Sequence, residues 1–208
     1  MPTDWSSVSL SKYLALQKDL ENYKDDEKAI KAALYYHICD VDTRLLSKLD
    51  SETIKNIDDD LNAFMNDAEH ELQPKITIGD TEYGFEPDLS RMSYGAYLDI
   101  SSYETFTIDE NWAKIMDILY RPIKKKQGGL YEIEEYSVRD EDSHKKWFSV
   151  GMDIHFGVFF YFITLLMDLQ SGILNSLMKQ KNLPTHIKRL LEESGKVMRV
   201  LPNWQTKI

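Results

Sequence analysis

The chain has 208 residues, of which 42% are hydrophobic and 12% aromatic, so it can bury a sizeable core and is not a disordered, solvated polymer. Its formal charge of −10 argues against a general nucleic-acid binder held by phosphate contacts. Charge is uneven along the chain: residues 1–70 carry eight Lys/Arg against fifteen Asp/Glu, a net −7, while residues 179–208 carry seven against two, a net +5.

In chain order, the first segment, "VSLSKYLALQKDL", places Leu10, Tyr13, Leu14, Leu16 and Leu20 near one stripe at helical spacing, with Ser9 or Ser11 as its cap. The stretch "DDEKAIKAALYYHI" opens with acids that complement a helix dipole and continues with good helix formers. "DTRLLSKL" reads as a short helix capped by Asp42. "SETIKNIDDDLNAFMNDAEHEL" puts Ile54, Ile57, Leu61, Phe64, Met65 and Ala68 on one face, with Asp58, Asp59 and Asp60 mostly off it. Residues 1–73 are therefore expected to form a helical N-terminal region.

At Pro74 the pattern changes. "KITIGDTEYGF" alternates, turns at Gly79-Asp80 and resumes with Tyr83 and Phe85, which predicts a β-hairpin. In "MSYGAYLDISSYETFTIDENWAKIMDILYRPIKKK" the first part reads as an entry strand or loop. Trp112, Ile115, Met116 and Leu119 then form a helical stripe, started near Thr107 or Asp109, stopped by Pro122 and followed by a lysine turn. "LYEIEEYSV" is a second strand-like run, expected to pair with the hairpin.

A short element near "DSHKKWFSV" precedes an apolar helix from about Asp153 to Lys179, in which Gly157 and Gly172 are places for bending or close packing. Its fourteen uncharged residues, "IHFGVFFYFITLLM", fall short of the roughly 20 that span a bilayer, so it is expected to be a buried core helix without membrane contact. Pro184-Thr185 starts a last helix, closed by Pro202. The fold class is mainly α with a small antiparallel β element (α+β): a helical N-terminal bundle, a central β-hairpin and C-terminal helices. Residues 74–208 are expected to pack with residues 1–73 as one unit.

Signatures of chemistry are absent from the sequence. His37, His70, His144, His155 and His186 include no metal-binding pair at helical spacing, and His70 is followed four residues on by Pro74, so it does not begin HExxH. His155 reads as a satisfied core histidine. There is no phosphate loop, no dinucleotide fingerprint and no nucleophile elbow. Cys39 is too isolated for a disulfide framework and reads as a buried structural thiol in a reducing compartment; the opening "MPTDWSSVSL" carries no export signal. Asp58-Asp59-Asp60 and the cluster Glu132, Glu134 and Glu135 read as solvated faces. No cofactor, metal or catalytic residue is expected. The features left are those of interaction, with Tyr94, Tyr97, Tyr103, Lys124, Lys125 and Lys126 as the candidate contact residues.

The succession "SLSKYLALQ", "KITIGDTEYGF", "MSYGAYLDISSYE", "NWAKIMDILYRPI", "YEIEEY" and "GVFFYFITLLM", spanning most of residues 8–178, resembles small structural and assembly proteins of tailed bacteriophages, especially the crAss-like phages of Bacteroidetes hosts. The resemblance implies a non-enzymatic protein, made in the host cytoplasm and carried in the virion at the tail or head-tail junction. Its implied partners are portal, tail or ring subunits and further copies of itself in a homo-oligomeric ring, with no specific nucleic acid. A cytosolic tail-assembly chaperone and a small enzyme with a site not visible in the sequence are the alternatives.

Overall fold

The computed structural model describes residues 2–66, 70–103, 106–137 and 141–178. The fold is α+β: seven α-helices and one four-stranded antiparallel sheet are formed among these residues. The chain divides into two compact units, 1–159 and 160–208.

The first unit opens with a 3-10 turn, Trp5–Ser7, then α1 (Leu10–Asn22), α2 (Glu27–His37), α3 (Thr43–Leu46) and α4 (Ser51–Met65). Each of these helices starts on a side chain that accepts from an otherwise orphaned backbone N–H: Ser9, Asp26, Asp42 and Asp50 in turn. Ser11, the other candidate cap of α1, instead donates to the Phe148 carbonyl at 3.0 Å. Leu61 and Phe64 of α4 are buried, and the Phe64 ring lies 4.5 Å from that of Trp5. Asp58 departs from the solvated-face reading. It accepts from Tyr35 Oη and from Lys31 Nζ, the latter at 2.6 Å, and so pins α2 to α4. Burial raises its pKa, but the hydrogen bonds from Lys31 and Tyr35 outweigh burial and hold the carboxyl below its usual range.

The hairpin forms as expected from β1 (Lys75–Ile78) and β2 (Thr81–Phe85) around Gly79-Asp80. The following stretch is neither strand nor loop. A 3-10 turn, Leu89–Arg91, leads into α5 (Tyr94–Ser101), capped by Ser93. Then α6 (Trp112–Leu119) buries seven of its eight residues, all but Lys114.

Pro122 does not stop α6, and the lysines are not in a turn. The helix ends at Leu119, and β3 (Tyr120–Gln127) carries both Pro122 and Lys124–Lys126. A proline is tolerated in this inner strand because Tyr83↔Pro122 falls at a pair whose backbone groups point away from each other. Phe85, two residues on in β2, donates to Pro74 on the β1 side, while Pro122 accepts from Glu134 on the other. β4 (Leu130–Ile133) pairs with β3 across Gly128-Gly129, both at positive φ, rather than with the hairpin, so the sheet order is β1-β2-β3-β4.

A 3-10 segment, Ser143–Ser149, leads to α7 (Met152–Met178). Leu10 N–H donates to Val150 and Met152 N–H to Val8, which ties the N-terminus to the start of α7. The core is aromatic: Trp147 is fully buried, with ring centroids 5.4 Å from Tyr120, 5.9 Å from Tyr83 and 6.4 Å from His155. The expected C-terminal helix after Pro184 and the basic end of the chain lie outside the described residues.

Candidate interaction surfaces

Two deeply buried polar groups, His155, which the sequence singles out, and Asp117, which it does not, form structural networks. His155 is fully buried. Its Nδ1 accepts from Trp112 Nε1 at 3.2 Å, and its Nε2 lies 3.2 Å from the Trp147 carbonyl, which fixes a neutral ring with the proton on Nε2. Burial outweighs the hydrogen bond to Trp147 and pushes its pKa down to about 4. Asp117, 4% exposed, accepts from Ser143 Oγ at 2.7 Å, from Trp147 Nε1 at 3.0 Å and from Lys146 Nζ. Trp147 thus links the two networks. Each holds an inner aromatic wall in place.

Cys39 is buried, and desolvation pushes its thiol up to about 11, the opposite of what a nucleophile needs. His37 lies 2.8 Å from Asp19 through Nε2 and so braces α2 against α1. Among the described residues no three His, Cys, Asp or Glu side chains gather around a space for a metal ion.

The candidate contact residues stand on separate elements. Tyr94 and Tyr97, one helical turn apart on α5, are 74% and 58% exposed, and Leu98 beside them is also exposed. Tyr103 is half-buried, and burial followed by the charge of Asp99 raises its pKa. α5 is held by Tyr136, whose hydroxyl donates to Asp99 and whose ring lies 3.4 Å from where a Cβ on Gly95 would stand. Lys124, Lys125 and Lys126 are all exposed on β3. Lys126 pairs with Glu82 of β2, and Lys125 has Glu132 as its cross-strand neighbour. The lysines thus lie on an inner strand with carboxylates on both neighbouring strands, and the tyrosine patch lies on α5.

The surface that sequence reasoning missed is on α7. Its opening turns are core, with Met152, His155 and Val158 fully buried. In the second unit the same helix is apolar and uncovered: Leu166, Met167, Leu169 and Ile173 are all exposed. The expectation of a buried core helix holds only for the part before Phe160. Phe162, Leu166, Leu169 and Ile173 recur at intervals of four, three and four residues, the spacing of a coiled-coil seam, while Thr164, Asp168 and Ser171 lie on the opposite side. By length and composition Met152–Ile173 also meets the requirement for crossing a membrane. A further feature is an open groove of about 590 Å³ beside β1, bordered across by Val150, Gly151 and Ile154.

No protein-family model, no curated protein and no solved structure matches the chain.

Proposed function

We propose that the protein is a non-catalytic structural subunit of a tailed bacteriophage particle, repeated as a ring or adaptor at the portal-to-tail junction and acting through contacts with further copies of itself and with neighbouring phage proteins. The phage setting rests on the resemblance of the ordered segments between residues 8 and 178. The contact role is carried by one observation: the exposed seam Leu166, Leu169 and Ile173, continued from half-buried Phe162, on α7. A helix with this spacing is matched best by a second helix of the same period, and another copy of the chain supplies one. Mass spectrometry of purified particles tests the virion assignment: the protein is expected in multiple copies per particle. Its presence in infected cells together with its absence from particles would overturn the virion role in favour of an assembly chaperone.

The length and composition of Met152–Ile173 favour a second reading, contact with a lipid surface. Met152, His155 and Val158 are buried, so only the later part of the helix is open to lipid; Phe160–Met178 extends about 28 Å at 1.5 Å per residue, close to a hydrocarbon core of about 30 Å, so length does not separate the two readings. Flotation with phosphatidylcholine and phosphatidylglycerol vesicles decides: the subunit reading predicts protein left at the bottom of the gradient, and co-flotation would support the lipid contact.

A further inference from the structure

The edge of the sheet at β1 offers a site of a different kind, independent of the α7 seam. Among the described residues β1 pairs on one side only, with β2. Ile78↔Thr81 flanks the two-residue turn and is therefore a hydrogen-bonded pair, and Ile76↔Tyr83 repeats it two residues on, with Phe85 N–H to the Pro74 carbonyl continuing the same parity. Lys75 and Thr77, in between, direct their backbone N–H and C=O outward, away from β2. They open into the groove of about 590 Å³ whose far side is Val150, Gly151 and Ile154. Gly151 is itself in extended pairing with Ser9, so that wall is fixed.

We infer that this groove takes an extended peptide segment of a partner protein as a fifth strand beside β1. Unpaired backbone donors and acceptors in a row are matched by another extended backbone, and the groove has room for one. Side-chain alternation sets the rest of the occupant's chemistry. Ile76 and Ile78 share the face of Tyr83, whose ring packs on Trp147, so the segment presents apolar residues at every second position on that side. On the opposite face Lys75 is exposed, its ammonium 5.5 Å from the Tyr131 ring centroid. An acidic residue of the segment belongs next to it. The groove's own carboxylate, Asp153, already accepts from Gln73 at 3.1 Å.

The test uses the full chain and an acetylated, amidated peptide, Thr-Val-Glu-Val-Glu-Val-Thr, followed by amide NMR and calorimetry. Binding is expected, with the largest shifts at Lys75 and Thr77. Methylating the peptide nitrogens at one alternate set of residues is expected to weaken binding at least tenfold, and methylating the other set to leave it within about twofold, because only one set faces β1. Failure of the parent peptide to bind, or equal effects of the two methylation patterns, would overturn strand addition. Thr77→Pro removes an outward N–H without touching the β1–β2 ladder and is expected to weaken binding at least tenfold with an unchanged circular dichroism spectrum. If that variant unfolds, the methylation comparison on the unaltered chain still decides. Lys75→Glu is expected to weaken the Glu peptide several-fold and to favour its Lys counterpart; indifference to both would overturn the acidic preference.

Discussion

His155 sits neutral among Trp112 and Trp147, and its protonation is coupled to unfolding. Its pKa is about 4 in the folded chain and near 6.5 when exposed, so between those values the unfolded state binds the proton and the folded state does not. Stability therefore falls as pH drops from about 6.5 to about 4 and levels off below, a loss on the order of 3 kcal/mol from this group. His155→Gln is expected to be less stable at pH 7 by about 1–3 kcal/mol and to lose that part of the acid slope. Urea midpoints measured from pH 7 to pH 4 check this; parallel slopes for the two proteins would contradict it. Asp117 is the second lever. Asp117→Asn leaves Lys146 without its anion, and because that side chain is partly exposed the expected cost is about 2–3 kcal/mol, read from the same urea midpoints. A loss under about 0.5 kcal/mol would mean that the ion pair does not hold the wall.

Elements differ in how openly their residues announce them. α1, α2 and α4 were legible because polar caps precede apolar stripes at helical spacing and because those stripes face the core, and α3 by its Asp42 cap alone, since Leu45 is exposed. α5 was not, since Tyr94, Tyr97 and Leu98 face solvent and only Ala96 is buried, which removes the periodic signal that a packed helix leaves. β3 was hidden by composition. Pro122 and three lysines lower strand propensity, and the strand is held instead by Tyr120 and Arg121, which are buried, and by partners on both sides. For α7, counting residues between Asp153 and Asp168 gave a length too short to span a bilayer, but burial is a tertiary property that the count did not contain. Two glycines of this helix separate packing from propensity. A Cβ on Gly157 would lie 2.5 Å from the Glu71 carbonyl oxygen, whereas one on Gly172 would meet nothing within 4 Å. Gly157→Ala is expected to cost about 1–3 kcal/mol and Gly172→Ala to be neutral or to stabilise by up to about 1 kcal/mol, compared by thermal melts. The reverse order would place the close approach elsewhere.

At the scale of the whole molecule, the expectation from the sequence is interaction rather than chemistry, with the aromatic and lysine residues of the middle of the chain as the surface. Tyr94 and Tyr97 are exposed and available, while the lysines lie along β3 with carboxylates beside them. The larger apolar surface is the α7 seam, whose residues read as core in the sequence because leucine and isoleucine at that spacing are normally covered. An uncovered seam of this kind destabilises an isolated chain in water by exposing apolar area and stabilises an assembly that removes it. Sedimentation of the purified full-length protein over a range of concentrations tests most directly whether that seam joins copies of the chain. The unaltered chain is expected to sediment as a multi-subunit species, and the double variant Leu166→Glu, Leu169→Glu as a folded monomer of 24.3 kDa with the same circular dichroism spectrum. A chain that stays monomeric at every concentration, or a double variant that assembles as the parent does, would contradict it.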